Sequence, residues 1–228
     1  MATRRILSDM AAAAAASGLP EVELESVGGV DAAQRVGDGE QLDLVFLALG
    51  ALRRLADDGH VLADSVTPLM LSQVAVAVPS TSPEPATHDG DYAFPDTAAL
   101  RAALQQAARI GYSTGPSGVA LVKMIDGWGL TEELGQRMIQ ASPGIPVARS
   151  LAEGEVDLGF QQLGELVGQP GVRILGVLPP DSAIDTVFAG AVATTSGDHA
   201  GAREVLRFFT SEDAAPIVVA HSFTPAHA

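Results

Sequence analysis

Short apolar runs alternate with helix-like segments along most of this 228-residue chain, and this alternation constrains the fold more than any other feature. Residues 42–48 are almost continuously apolar, as expected for a strand that is covered on both faces. The next segment, 51–58, has helical spacing and ends at Gly59. Strand and helix patterns in this succession are typical of parallel α/β layers. The sequence therefore predicts an α/β protein, and its length suits one large domain or two lobes.

The first part of the chain carries the predicted elements of one lobe. They are a strand at 4–7, a helix from Ser8 through the alanine run to Gly18, a strand at 22–26, a helix from Asp31 to Gly37, the strand and helix described above, and a long strand at 69–79. Segment 80–91 is rich in Pro, Ser and Thr, which predicts a surface loop. We expect the chain to cross into a second lobe at the end of the long strand.

The remaining elements predict that second lobe and a return to the first. Helical patterns cover 96–108, 117–128, 146–153 and 203–210, strand patterns cover 109–113, 156–160, 172–178 and 187–194, and segment 131–139 continues the second lobe. Residues 1–79 and 195–228 are expected to form one lobe and residues 80–194 the other. Each lobe is expected to contain a mixed, mostly parallel sheet.

A glycine- and hydroxyl-rich loop precedes an amphipathic helix of the second lobe. Residues 111–118 read Gly-Tyr-Ser-Thr-Gly-Pro-Ser-Gly, and Ser117 is predicted to cap the helix that follows. The first turn of a helix has unpaired N–H groups and the positive end of the dipole, so it suits a small anion. A capped junction without a ligand fits the same pattern. Replacing Ser117 by Ala together with Gly118 by Val is expected to abolish ligand binding while the protein remains folded.

Composition excludes several functions. The chain has no cysteine, which excludes disulfides and thiolate sites, and its five histidines lack metal-ligand spacing, so we expect no metal and no cofactor. With 28 acidic and 13 basic residues the net charge is −15, which argues against nucleic acid as a partner. No apolar stretch approaches the ~20 residues that a membrane-spanning helix needs, so no membrane insertion is expected.

The N-terminal segment has some features of a signal peptide. Arg4 and Arg5 precede an alanine run, but Asp9 interrupts the apolar region and alanine is only weakly hydrophobic. We therefore expect the chain as given to be cytoplasmic, and periplasmic if Met1 stands in place of a removed signal.

Several short segments together carry a resemblance to a known family. They are Asp-Leu-Val-Phe-Leu-Ala at 43–48, Gly-Tyr-Ser-Thr-Gly-Pro-Ser-Gly-Val at 111–119, Gly-Glu-Val-Asp-Leu-Gly-Phe at 154–160 and Arg-Phe-Phe-Thr-Ser at 207–211. From about Arg5 to its end, the chain resembles the molybdate-binding-protein-like branch of the type II periplasmic substrate-binding proteins. This bacterial family includes aconitate-isomerase-like members. The resemblance implies a fold of two α/β lobes with a ligand held in the cleft between them.

The resemblance also implies a set of ligand-binding residues near helix starts and strand ends. They are Ser8, Gly29, Val30, Leu47, Ser117, Gly118, Ile145, Gln161 and Gln162. Leu47 stands where the family usually has a serine, and Gln162 where it usually has a tyrosine. Because specificity for an oxyanion depends on pairing every ligand oxygen, these departures favour a small organic carboxylate over molybdate.

The sequence leaves three functions open. A small-anion binding protein is favoured over an enzyme, an isomerase of a small tricarboxylate is the alternative, and a sensor or accessory role is the third. The expected partner is a small carboxylate or oxyanion, with an ABC transporter if the protein is exported, and we expect a monomer. No catalytic set is evident, although Asp9 and Glu165 are the carboxylates closest in sequence to the expected cleft, and His221 is the histidine of most interest.

Overall fold

A computed structural model describes residues 3–83, 92–142 and 144–226, and the chain divides into two compact units. The first unit contains residues 1–72 and 186–228, and the second contains residues 73–185. The sequence predicts that the chain passes from one lobe to the other later in each case, after residues 79 and 194. Residues 84–91 of the predicted surface loop lie outside the described residues.

From β1 onward, helices and strands alternate through most of the chain, as the sequence indicates. The helices are α1 (Arg4–Ala16), α2 (Gly29–Gly37), α3 (Leu49–Asp57), α4 (Thr97–Gln106), α5 (Pro116–Gly127), α6 (Thr131–Leu134), α7 (Val147–Ala152), α8 (Leu163–Leu166), α9 (His199–Phe209) and α10 (Ala215–Ala220). The strands are β1 (Leu44–Ala48), β2 (Thr67–Pro79), β3 (Ile110–Tyr112), β4 (Met138–Gln140), β5 (Leu158–Gln162), β6 (Val172–Val177), β7 (Asp185–Val192) and β8 (Thr224–Pro225). In the part of the chain that the structure describes, no helix is long and apolar enough to span a membrane.

The first unit builds its core on both sides of β1 and β7, which pair antiparallel from Leu44 opposite Val192 to Ala48 opposite Phe188. On one side, α1, α9 and α10 bury a cluster that includes Met10. On the other side, α2 and α3 cover β1 through a second cluster that includes Leu47 and Leu52. Strand β1 is therefore covered on both faces, as its apolar sequence indicates.

The prediction of a strand at residues 4–7 is wrong, because α1 begins at Arg4. Ile6, Met10 and Ala14 recur at helical spacing and are all buried, so a helix buries this side of the chain better than a strand would. Ser8 therefore does not cap a helix. It is exposed within α1, and its hydroxyl donates to the carbonyl oxygen of Arg4 at 3.0 Å.

The predicted strand at residues 22–26 is also absent from the described structure, which assigns no secondary structure to this segment. Val22 and Leu24 nevertheless pack against the cluster that contains Met10. The alternating pattern thus identified correctly which side chains face the core. It could not show whether a neighbouring backbone would be available to form a ladder.

The second unit contains a mixed sheet in which β2 lies between β5 and β6 and pairs antiparallel with both. Strand β3 pairs parallel with β4 and β5, with Tyr112 opposite Gln140 and Phe160. Parallel pairing brings the carboxyl ends of β3, β4 and β5 to one edge of the sheet. The expectation of mostly parallel sheets holds for these strands, whereas the pairings described for β1 with β7 and for β2 with β8 are antiparallel.

Helix α4 begins where the sequence predicts, at Asp96, whose carboxylate accepts a hydrogen bond from the N–H of Ala99 at 2.8 Å. We expect Asp96→Ala to lower the free energy of unfolding by about 1 kcal/mol, because an N–H group of the first turn loses its acceptor. Asp96→Asn retains an acceptor oxygen and should remain close to the wild type. Urea denaturation of the two variants tests this, and equal losses for Ala and Asn would contradict the capping role.

Candidate functional site

Three segments of the second unit begin at the same edge of its sheet: loops follow β3 and β4, and α8 follows β5 directly. The loops that follow β3 and β4 lie side by side, since the N–H of Ala141 donates to the carbonyl of Tyr112 at 2.8 Å. In open α/β sheets, ligands bind outside the carboxyl ends of the strands, where loops of this kind meet. This edge is therefore the candidate site of the second unit.

The loop after β3 contains a buried pair of hydroxyl groups. The Oγ atoms of Ser113 and Ser117 are 2.9 Å apart, and Ser117 is only 2% exposed. The N–H of Gly115 also donates to Ser113 Oγ, at 3.3 Å. The prediction that Ser117 caps the helix is wrong, because Gly115 is the capping residue and Pro116 occupies the first helical position. Pro116 suits that position because its ring fixes a helical φ, and Ser117 consequently lies within the first turn.

Gly118 allows the loop to pass very close to the first turn of α5. A Cβ atom at this position would overlap the carbonyl oxygen of Ser113 and lie 3.1 Å from Cδ2 of Tyr112. Because Gly118 has no side chain, Ser113 can lie beside Ser117. The direct role of Gly118 is therefore to shape the loop.

Gln161, near the end of β5, fixes the start of α7. Its side-chain oxygen accepts a hydrogen bond from the N–H of Val147 at 2.8 Å, and the residue is only 3% exposed. Gln162 is buried as well and immediately precedes α8. Ile145, in the loop before α7, is 37% exposed although it is apolar. The structure therefore places Ser117, Gly118, Gln161, Gln162 and Ile145 in loops of one sheet edge or beside them.

Glu165 lies in the first turn of α8, three residues after β5 ends. Burial raises the pKa of its carboxyl above the usual range for glutamate, and a hydrogen bond with Gln161 acts in the opposite direction. No ion pair in the described part of the chain involves Glu165. A partly buried carboxyl whose pKa is raised by burial is a candidate for proton transfer.

The first unit brings together three of its four predicted residues. Gly29 and Val30 form the start of α2, which begins two residues before the predicted Asp31. A Cβ atom at Gly29 would lie 3.8 Å from Cδ2 of Leu47, so the end of β1 packs against this helix start. Leu47 is buried, whereas Val30 is 83% exposed. Ser8, in the second turn of α1, no longer has the capping role on which its prediction depended.

Asp9 and His221, which are 212 residues apart in the sequence, form a pair. Asp9 Oδ2 lies 2.7 Å from His221 Nε2, and this contact joins α1 to the residue that follows α10. The two helices also pack against each other through Met10 and Val218. The pair therefore stabilises helix packing within the first unit. Among the described residues, no group of three His, Cys, Asp or Glu side chains is arranged to hold a metal ion.

Sequence reasoning identified the loop after β3 but gave Ser113 less weight than Ser117. Two serines four residues apart on either side of a Gly-Pro step are the available signal, because the turn that the proline imposes brings position 113 back to position 117. The sequence does not show that the backbone of Ser113 passes close to Gly118, because nothing in the pattern distinguishes Gly118 from an ordinary turn glycine.

Comparisons with known proteins agree on the fold. The chain is 32% identical over 184 residues to an aconitate isomerase from Pseudomonas sp., a match that covers 81% of this chain and 68% of that protein. The periplasmic molybdate-binding protein of Azotobacter vinelandii superposes with a TM-score of 0.75 at 18% identity, over 97% of this chain and 95% of that one. The substrate-binding domain of a putative molybdenum ABC transporter from Clostridium difficile superposes with a TM-score of 0.74 at 13% identity, over 98% and 94% of the two chains.

These structural similarities confirm the predicted fold class, an α/β fold of the periplasmic-binding-protein type. The family described as bacterial extracellular solute-binding protein matches residues 1–224, which is nearly the whole chain. The resemblance stated from the sequence is confirmed by this match and by the relatives named above. The protein belongs to the bacterial extracellular solute-binding protein family.

Proposed function

We propose that this protein binds a small organic carboxylate, in preference to molybdate, at the Ser113–Ser117 hydroxyl pair. The pair carries the proposal, because one hydroxyl donates to the other and the second hydroxyl keeps its hydrogen for a carboxylate group, at the start of a 12-residue helix whose dipole also favours negative charge. The amide groups of Gln161 and Gln162 belong to the same sheet edge. They would orient another polar group of the ligand.

The residue types in the first unit support a carbon-containing ligand. Leu47 presents only apolar side-chain atoms where the resemblance expects a hydroxyl donor, it packs beside Gly29, and Val30 next to Gly29 is an exposed apolar side chain. An apolar surface can contact a carbon skeleton but offers no hydrogen bond to an oxyanion. We propose that Gly29, Val30 and Leu47 contribute to ligand selection in this way, and we do not extend this proposal to Ser8.

A panel of ligands tests the preference. Molybdate, tungstate, sulfate, citrate, tricarballylate and the two aconitate isomers should be compared by thermal shift and by titration calorimetry on one preparation. A ligand at 100 times its dissociation constant stabilises the folded state by about 2.7 kcal/mol, which raises the melting temperature of a chain of this size by roughly 5–10 °C. We expect at least one carboxylate to give such a shift. Tight binding of molybdate or tungstate, with no response to any carboxylate, would refute the proposal.

The second candidate function is isomerisation of a small tricarboxylate. The 32% identity with an aconitate isomerase favours it, and so does a carboxyl group at the candidate site, that of Glu165, whose pKa burial raises. Incubation with each aconitate isomer, followed by proton NMR, distinguishes an enzyme from a receptor. An enzyme brings both solutions to the same mixture of isomers, whereas a receptor leaves each one unchanged.

The cellular role follows from the same comparison. We propose that a receptor form would be exported and would deliver its ligand to an ABC transporter, whereas an isomerase has no need of a transporter. Fractionation of cells that express the gene from its genomic start distinguishes the two locations. A protein that binds carboxylates, remains in the cytoplasm and interconverts the isomers would exclude the receptor role.

A further inference from the structure

We propose that a cavity in the first unit binds the side chain of a lysine or an arginine that a partner protein presents. The cavity has a volume of about 170 Å³, and α9, α10, β2, β8 and the connection between the two helices contribute its lining residues. These residues all belong to the first unit, whereas the proposed carboxylate site lies in the second unit. The cavity is therefore a second site, with a function of its own.

Apolar side chains form most of the cavity wall. They are Leu69, Phe209, Ala215, Val218 and Pro225. Leu69, Phe209 and Val218 are buried in the core of this unit, so close packing fixes the floor of the cavity. A wall of this kind can cover the aliphatic part of a long side chain, because Lys and Arg bury their stems along apolar surfaces while the charged group stays outside.

The polar side chains of the cavity are Thr210, Ser211 and Glu212, and all three can act as hydrogen-bond acceptors for a ligand. The Thr210 hydroxyl donates its hydrogen to the carbonyl of Arg207 at 3.0 Å, and the Ser211 hydroxyl donates to the carbonyl of Phe208 at 2.7 Å. The two hydroxyl oxygens therefore keep lone pairs but no hydrogen for a ligand, and an ionised carboxylate has no hydrogen to donate. A group that only donates, such as an ammonium or a guanidinium, suits this lining.

Two sources of negative charge favour a cation in the cavity. Thr210 directly follows α9, an 11-residue helix, and the C-terminal end of a helix carries partial negative charge. Glu212 is exposed, and among the described residues no ion pair includes it. Arg207, the nearest basic residue in the sequence, is paired with Glu204 at 3.5 Å. The Glu212 carboxylate is therefore available to a cation from another molecule.

An exposed valine beside the cavity indicates that the cation belongs to a protein. Val219 is 62% exposed, and helical spacing places it on the same side of α10 as Ala215 and Val218, which line the cavity. A small free amine would leave this valine uncovered, whereas a protein segment with an apolar residue next to its Lys or Arg would cover it. A second copy of this chain is disfavoured as the partner, because each copy has a net charge of −15.

Nitrogen–proton NMR correlation spectra of the full chain test the proposal with a short peptide as the probe. The peptide acetyl-Gly-Arg-Leu-Gly-amide should shift the amide signals of residues 209–219 in a saturable way. The peptide acetyl-Gly-Gln-Leu-Gly-amide is the matched neutral probe. We expect it to bind at least about 10-fold more weakly, because hydrogen bonds between charged groups are stronger than those of neutral groups.

Two variants of the cavity and one control variant complete the test. Glu212→Gln keeps the size of the side chain and removes its charge, so it should bind the arginine peptide about 10-fold more weakly than the wild type. Ala215→Leu places a larger side chain at the cavity wall and should abolish the saturable shifts. Glu132→Gln removes the same charge at an exposed position of the second unit and should bind the peptide like the wild type. Circular dichroism checks that each variant is folded.

Each outcome supports or overturns one part of the proposal. Absence of saturable shifts with the arginine peptide, equal affinity for the two peptides, or unchanged affinity in Glu212→Gln would overturn the assignment of a cationic occupant. Binding of n-butylguanidinium as tightly as the arginine peptide would overturn the assignment to a protein partner. Weaker binding in both cavity variants, with Glu132→Gln unaffected, would support the proposal. None of these results depends on whether the second unit binds a carboxylate.

Discussion

Gly118→Ala should lower the free energy of unfolding by about 3 kcal/mol, at the upper end of the usual cost of overpacking. The added methyl group would overlap the carbonyl oxygen of Ser113, which is a backbone atom and cannot rotate away as a side chain could. The loop must therefore move away from α5, and the contact between Ser113 and Ser117 would be lost with it. Urea denaturation followed by circular dichroism measures the loss.

Gly127→Ala is the matched control, because it changes the other glycine of α5, at the end of the helix. Nothing lies within 4 Å of the Cβ position at Gly127, so no clash is expected. Alanine favours a helix over glycine by about 1 kcal/mol, so this variant should be as stable as the wild type or more stable. Equal stability of Gly118→Ala and Gly127→Ala would contradict the close contact between Gly118 and the carbonyl of Ser113 at the start of α5.

This result also revises an expectation drawn from the sequence. There, Ser117→Ala combined with Gly118→Val is expected to abolish binding in a folded protein. The overlap with Ser113 instead makes Gly118 part of the local packing, and valine would be worse than alanine. A binding defect in that variant would follow from a disordered loop, so it could not identify a ligand contact. The site must be tested through the serines.

The sequence predicts elements well where burial and local signals agree. The long strand β2 combines a β-branched apolar run with a proline at its end, and α4 has an aspartate cap followed by good helix formers. In both cases the structure differs from the prediction by only a few residues at one end. Such elements are determined by their own residues, so neighbouring segments are not needed to identify them.

The N-terminal region shows where local signals are insufficient. Residues 4–7 consist of two arginines followed by Ile and Leu, which fit a strand as well as the first turn of a helix. The helix is favoured because Ile6 and Leu7 then bury together with Met10 and Ala14 against α9 and α10, more than 180 residues later in the chain. That contact is not visible in a local pattern. The same limit applies to residues 22–26, whose strand pattern lacks a partner in the described structure.

The sequence could predict the region of the candidate site, but not the contacts that its individual side chains make. The hydroxyl-rich loop and the two glutamines lie at one sheet edge, because they follow or end strands whose positions can be located from the sequence. Individual roles depend on side-chain directions: Gln161 binds the start of α7, and Ser117 lies inside the first turn of α5 instead of capping it. Such details depend on the register between strands and on the turn at Pro116.

Ser117→Ala should weaken carboxylate binding by about 10- to 100-fold, because a hydrogen bond to a charged group contributes about 1.5–3 kcal/mol. The change removes one hydroxyl and adds no atoms, so the helix start retains its shape. The folded state should lose only about 1 kcal/mol, since Ser113 Oγ still accepts from the N–H of Gly115. Calorimetry with the tightest carboxylate of the ligand panel measures the affinity, and urea denaturation measures the stability.

Ser17→Ala is the matched control for this variant. Ser17 directly follows α1 and is exposed, and its hydroxyl donates to the carbonyl of Ala13 at 3.0 Å. The Ser17→Ala variant therefore loses a local hydrogen bond at a position that is far from the candidate site in sequence. We expect its affinity for the carboxylate to equal that of the wild type. The two variants are matched, because each loses one Oγ atom and gains none. Equal affinity in Ser117→Ala and Ser17→Ala would mean that the buried hydroxyls only stabilise the loop, and the ligand site would then have to lie elsewhere in the chain.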